Sequence, residues 1–295
     1  MLSESDFLDW LRTQQRASAL VELPAGDDLA ILRWTANEPL LVGVDQVMEG
    51  VHFDLAKHSP RQVGIKAMNR NLSDCAAMAC WPVAALASVA LPRGRGEEFA
   101  RELYLGMKEA GEKFDCAIVG GDTGTWDGLL VANVSIMGRA ENGKPILRSG
   151  ARTGDSVYVT GKLGGSLLGR HMNFEPRLYE SIEIANTGRV TAMIDLSDGL
   201  SRDLPRICEA SNVGAILDAN KIPIHADTMA MSKTDGRSPL EHALHDGEDY
   251  ELLFTGHDLE HLGTRIGEII SEPGVFIQAD QTRTPLQSRG WEHQW

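Results

Sequence analysis

Apolar and polar positions change rhythm repeatedly along this chain, and the changes mark its elements. "LLVGVDQVM" is short and mainly apolar, which predicts a strand with Asp45 near its C-terminal end. The stretch that follows, "HSPRQVGIKAMNRNLSDCAAMAC", has Ser59 before Pro60, a good helix start, and then a long face of small residues. Asn71 and Asp74 lie three apart on it and so share a face. "GEEFARELYLGMKEAGEKF" reads as a second amphipathic helix, "DCAIV" as a strand running into Gly120, Gly121 and Asp122, and "GLLVANVSIMGRA" as a further strand by its alternation. Near the start, Phe7, Leu8 and Leu11 at helical spacing predict a short helix.

At residue 150 the texture shifts. The Gly-rich "RSGARTGDSVYVTG" leads into a new strand, followed by "GKLGGSLLG", by an apolar run ending in "MIDLSDGLSRD", by a helix at "SRDLPRICEAS", and by strands at "GAILDA", "YELLFTG" and "GVFIQA". A chain of 295 residues exceeds what one core usually organises, so two domains are expected, 1–149 and 150–295. Strands and helices mix without strict parallel βαβ alternation, which favours an α+β class.

Charge narrows the partners. With 42 acidic against 28 basic residues, the net charge of −14 gives no general attraction for nucleic acid or anionic membranes. A phosphate ligand should therefore arrive with its own cations. Cys75, Cys80, Cys116 and Cys208 have no paired metal spacing and read as buried free thiols of a reducing compartment. The opening "MLSESDFLDWLRTQQ" is acidic where a signal peptide is basic, and no apolar run reaches membrane length, so a cytoplasmic location is expected.

Carboxylates carry the candidate chemistry. Asp28, Asp45, Asp122, Asp195 and Asp198 recur at the ends of apolar runs or at Gly turns, and Asp74 joins them from a helix face. If they converge, divalent cations must cancel their repulsion, and an oxygen-only set without His or Cys favours magnesium. Taken singly, Asp28, Asp122 and Asp198 read equally as turn or cap residues. Asp203, on the helix that follows, is expected to face solvent. Gly120 and Gly121 suit either close backbone approach to a phosphate or a tight turn, and "GKLGGSLLG" could offer amides to an anion. Neither a Walker nor a dinucleotide-binding glycine pattern is present, so nucleotide binding would need another fold.

The motifs "GDDLA", "VDQVMEGVHF", "NLSDCAAMA", "GGDT", "RSGARTGD", "DLSDGL" and "GEDYELLF", in this order, resemble the thiamine-monophosphate kinase family. That family sits in the aminoimidazole ribonucleotide synthetase superfamily, with selenophosphate synthetase and hydrogenase maturation enzymes. The resemblance implies an N-terminal α/β domain whose sheet pairs with a second subunit, and a C-terminal α+β domain. It implies ATP and Mg2+, and phosphorylation of thiamine monophosphate to thiamine diphosphate in a homodimer. By similarity, Asp28, Val44, Asp45, Asp74, Asp122, Asp195 and Asp198 hold magnesium, with Asp45, Asp74 and Asp122 central to catalysis. Tyr104, Gly121, Asp122, Arg148 and Ser197 match ATP contacts, and His52, Glu248 and Trp291 match thiamine monophosphate contacts.

Each assignment has a plainer counterpart. Tyr104 could pack in the core, Arg148 could be a surface residue, His52 could be structural in a strand-like stretch, Glu248 could cap a strand, and Trp291 could dock the tail. The sequence also departs from the family. Gly43 and Val44 stand where the family usually has Ser-Thr, so a hydroxyl ligand is missing and only the Val44 carbonyl remains. The segment after "GKLGGSLLG" reaches "RHMNFEPR" quickly, and "HALHD" replaces small residues before "GEDY". These departures keep two alternatives open: a related enzyme with another acceptor, or a nucleotide-binding protein that has lost turnover.

Overall fold

The computed structural model describes residues 10–11, 13–14, 20–23, 31–35 and 37–291. Phe7 and Leu8 of the expected N-terminal helix lie outside the described residues. The chain forms two compact units, one made of the chain up to Cys75 with Cys80–Gly143, the other of Ala76–Ala79 with the chain from Lys144 onward. Mixed sheets with helices make the fold α+β, in agreement with the sequence.

In the first unit, β1 (Val21–Leu23) and β2 (Ile31–Leu32) form an antiparallel pair. The main sheet holds β3 (Leu40–Met48), β4 (Cys80–Pro92), β5 (Ala117–Trp126) and β6 (Val131–Ala140) in the order β3-β6-β4-β5. Only β4 and β5 run parallel, and the Glu97–Glu112 helix supplies the crossover their direction requires. The Pro60–Ala77 helix starts where the sequence says it should. Ser59 Oγ accepts from the Gln62 amide at 3.3 Å and Gln62 Oε1 accepts from the Ser59 amide at 2.9 Å, a reciprocal cap ahead of Pro60. The two helices cross at glycines: a Cβ on Gly64 would overlap the Leu103 carbonyl, and one on Gly106 the Arg61 carbonyl. Gly120 and Gly121 sit inside β5 opposite Leu86 and Ala87, so the tight turn is replaced by a continuing strand.

In the second unit, β7 (Ser156–Val159), β8 (Val190–Asp195), β9 (Gly214–Asp218), β10 (Leu252–Gly256), β11 (Thr264–Ile270), β12 (Gly274–Ala279) and β13 (Thr282–Pro285) form one sheet in the order β13-β12-β9-β11-β7-β10-β8. The β9–β12 pair is parallel and the rest antiparallel. Leu200, Leu204, Ile207 and Cys208 of the Leu200–Ser211 helix lie on one stripe and close over Val157, Ala192, Ile194, Ala215 and Leu217. Further helices span Leu178–Asn186, Asp227–Asp235 and Pro239–His245. All four cysteines are buried and free. Among the described residues no helix is long and apolar enough to cross a membrane.

Candidate functional site

In the first unit Asp45 and Asp122 sit mid-strand, each the sixth residue of its strand, and the register sets Asp122 level with Gln46, on the opposite sheet face from Asp45. Alternation in β3 turns Val44 outward, 65% exposed, and Asp45 the other way, where Arg70 Nε of the Pro60–Ala77 helix donates to it at 2.8 Å. Asp74 lies exposed on that helix. One turn earlier, Asn71 is fully buried; its Nδ2 donates to the Ala67 carbonyl at 3.0 Å while its Oδ1 finds no protein donor. Asp122 is exposed on β5, opposite Ser88, directly after Gly121. At Gly121 the backbone has φ 153°, and a Cβ would overlap the Ala87 carbonyl, so only glycine fits there.

His52 belongs to a turn after β3 and not to a strand. Its Nδ1 accepts from the Met48 amide at 3.1 Å, its own amide donates to the Met48 carbonyl at 2.9 Å, and its carbonyl accepts from the fully buried Lys66 Nζ at 2.8 Å. An accepting Nδ1 puts the neutral ring's proton on Nε2. Tyr104 is half-buried in the Glu97–Glu112 helix with its ring edge-on to Trp10 at 5.7 Å, and burial pushes its hydroxyl up to about 12. Packing against Trp10 leaves it partly exposed. Asp28 lies outside the described residues.

The second unit assembles several expected residues around one strand end. Asp195 closes β8 and is 4% exposed. Beyond it, the Ser197 carbonyl accepts from the Glu248 amide at 2.8 Å and the Asp198 carbonyl from the Trp291 amide at 3.0 Å. Residues far apart in sequence are thereby stitched into one stretch. Trp291 keeps half of its surface exposed, and Arg148 is exposed on the segment before β7.

Asp203 corrects an expectation. It is fully buried, where the sequence reading turned it to solvent. Arg206 bridges Asp203 at 2.7 Å and Asp198 at 2.5 Å, and Asp203 Oδ2 accepts from the Asp198 amide at 3.0 Å. Burial, with Asp195 and Asp198 adding repulsion against the pull of Arg206, lifts the Asp203 carboxyl to about 7. The "GKLGG" amides are likewise committed elsewhere: the Gly164 amide donates to both Asp249 oxygens, at 2.9 and 3.0 Å, and the Gly165 amide to Asp246 at 3.2 Å. They bind the protein's own carboxylates and not an incoming anion.

Sequence reasoning missed the partners of Glu248. His171 Nδ1 meets its Oε2 at 2.8 Å, the Tyr250 hydroxyl reaches Oε1 at a long 3.4 Å, and Ser166 Oγ donates to its carbonyl. Gly247, Glu248 and Tyr250 all have positive φ, at 73°, 53° and 53°, which is costly for the last two. The "GEDY" spacing was the available signal, since glycine beside acidic residues suits such backbone.

Among the described residues no three His, Cys, Asp or Glu side chains form a ready metal cage. Magnesium does not need one, because it keeps waters and phosphate oxygens and takes only one or two carboxylates. The residues fit it. They are oxygen donors, and the unmatched Asn71 Oδ1 is a buried acceptor one turn from Asp74; Asp45 and Asp198, paired here with Arg70 and Arg206, would have to exchange or share those partners with the ion.

An α+β fold in two units is what the AIR synthase related class has, and the sequence places this chain in it. The model described as "AIR synthase related protein, N-terminal domain" matches residues 26–140, and "AIR synthase related protein, C-terminal domain" matches 160–279. The thiamine-monophosphate kinase of Rhodopirellula baltica is 41% identical over 290 residues, covering 92% of this chain and 91% of that one. The crystal structure of the thiamine-monophosphate kinase of Stenotrophomonas maltophilia superimposes with a TM-score of 0.81 at 30% identity, over 95% of this chain and 98% of that one. AaThiL, solved in complex with AMPPCP and TMP, gives 0.79 at 30% identity, over 99% and 97%. The chain belongs to the thiamine-monophosphate kinase family.

Proposed function

We propose that this protein phosphorylates thiamine monophosphate to thiamine diphosphate with ATP as donor, by direct in-line transfer. The observation that carries the reading is the pair of backbone hydrogen bonds joining Ser197 to Glu248 and Asp198 to Trp291. They tie a residue expected at the nucleotide, Ser197, and one expected at magnesium, Asp198, to residues expected at thiamine. The AaThiL complex, which holds an ATP analogue and TMP together, supports it.

The acceptor is a phosphate oxygen already ionised at neutral pH, so no general base is required and catalysis rests on positioning and charge neutralisation. Magnesium, when bound, offsets charge on the phosphates; Asp28, the Val44 carbonyl, Asp45, Asp74, Asp122, Asp195 and Asp198 would hold it. Tyr104, Gly121, Asp122, Arg148 and Ser197 serve ATP. His52, Glu248 and Trp291 serve thiamine monophosphate, the exposed Trp291 face suiting a cationic ring. Residues 1–149 and 150–295 act as the two functional domains.

The working form is a homodimer in the cytoplasm. Leu40, Val42 and Val44 of β3 and Leu86 of β4 are exposed on one sheet face, which supports pairing with a second copy. Buried free thiols agree with a reducing compartment. The net charge of −14 supports small substrates that bring cations, and neither nucleic acid nor membrane.

The test is a magnesium-dependent assay with ATP and thiamine monophosphate, following thiamine diphosphate by chromatography. Product that requires both substrates is expected. ATP binding without product would overturn the reading in favour of another acceptor or lost turnover at the Gly43–Val44 departure.

A further inference from the structure

Three side chains of the short segment Arg170–Phe174 engage three consecutive acidic or aromatic residues of the strained loop. Arg170 Nη2 pairs with Asp249 at 3.0 Å, His171 Nδ1 with Glu248 Oε2 at 2.8 Å, and Phe174 stacks on Tyr250 with ring centroids 3.8 Å apart and planes 10° from parallel. Arg170 is itself fixed, its Nη1 on Asp227 at 3.0 Å and its Nη2 also on the Gly164 carbonyl at 3.1 Å. The segment thus grips residues 248–250 one by one. Glu248 and Tyr250 hold left-handed backbone only because something over-determines it.

Within this grip Glu248 is the residue with a proposed chemical role, and His171 Nδ1 holds its Oε2 at 2.8 Å. His171 is 8% exposed and Glu248 17% exposed at the side chain, so the contact is largely shielded from water. The Glu248 backbone is fixed at both ends, its amide on Ser197 and its carbonyl on Ser166. The carboxylate's orientation is then set by its side-chain contacts, of which the one to Nδ1 at 2.8 Å is shorter than the one to the Tyr250 hydroxyl at 3.4 Å.

We infer that His171 is a positioning residue for thiamine monophosphate recognition, acting through Glu248. This rests on the reading of Glu248 as a thiamine contact. His171 donating from Nδ1 orients the carboxylate toward a cationic or amine-bearing substrate. Its effect should fall on substrate binding and not on phosphoryl transfer, because no proton or bond of the reaction passes through it.

The experiment compares His171→Leu, His171→Asn and Glu248→Gln by steady-state kinetics with ATP and thiamine monophosphate, with thermal melts to verify folding. His171→Leu should raise KM for thiamine monophosphate by about tenfold, the worth of one hydrogen bond to a charged group, with kcat and the KM for ATP within about twofold of the parent. His171→Asn, whose amide N–H can stand near the Nδ1 position, should recover most of that loss. Glu248→Gln raising KM while His171→Leu leaves it unchanged would overturn the inference and keep the reading of Glu248. Neither variant moving KM would overturn both. Parallel losses in kcat, both KM values and the melting temperature, with no rescue by asparagine, would show a merely structural role and also overturn it.

Discussion

Asp249 is an acid held where acids are costly. It is 6% exposed, and burial pushes its carboxyl up from 3.8 to about 7 even though the Gly164 amide and Arg170 pull the other way. The folded state therefore keeps a proton that the unfolded chain gives up above about pH 4. Between those values the native state binds more protons, so the contribution to stability falls as pH rises and is lost on passing about 7. Thermal melts from pH 5 to 8 should show a declining midpoint, with Asp249→Asn flattening part of the slope; an unchanged slope in that variant would refute the assignment. At the carboxylates proposed for catalysis the expectation is different. Asp122→Asn and Asp74→Asn both alter exposed side chains, so each should fold with an unchanged melt yet lose at least about 100-fold in kcat. The aspartates proposed for metal could be singled out one by one in the sequence, most of them at the end of an apolar run or beside a glycine and Asp74 on a helix face. Asp203, Arg206 and His171 could not be. Asp203 and Arg206 gain their roles by closing on Asp198, and His171 gains its role from Glu248, far along the chain.

Elements were legible where local chemistry alone specifies them. Ser59-Pro60 marked its helix, and the structure answers with a reciprocal cap; Ser238-Pro239 does the same at Pro239–His245 but precedes too short an apolar pattern to be read. The strand β4 was missed because Pro82, Pro92 and a run of alanines blur its alternation, and what makes it a strand is pairing on both sides. The Asp227–Asp235 helix has only Thr228 buried and so lacks an apolar stripe to read. The glycine crossing of the two first-unit helices was invisible for a related reason, since neither Gly64 nor Gly106 shows its partner. There the backbones touch with no room for a methyl group. Gly64→Ala or Gly106→Ala should therefore force the helices apart and cost about 3 kcal/mol or more, read as a lowered denaturation midpoint in urea. Gly143→Ala, where a Cβ meets nothing within 4 Å but φ is 72°, should cost less, about 1 kcal/mol.

At the scale of the whole molecule, an apolar sheet face and a strong negative charge oppose each other. One face of the first-unit sheet is covered by its helices. On the other, Leu20, Val21, Leu32 and Trp34 pack against the Val83, Ala84, Ala117 and Val119 end, while Leu40, Val42 and Val44 remain 43%, 69% and 65% exposed. Leaving such side chains in water forfeits burial worth about 1.5 kcal/mol or more for each valine or leucine, and β3 is an edge strand open to a partner. A second copy has the matching face, but it also brings another −14 of charge. The repulsion is long-ranged and screened by salt, whereas apolar contact is not, so the proposed dimer should tighten as ionic strength rises from about 10 mM to physiological values. Leu40→Glu with Val42→Glu places charge on that face and spares Val44, the neighbour of Asp45. Sedimentation velocity should then show a monomer at concentrations where the parent is dimeric, a shift of at least about 100-fold in the dissociation constant. A parent that sediments as a monomer at every salt concentration would remove the argument, and the exposed β3 face would then have to be covered by something other than its own copy.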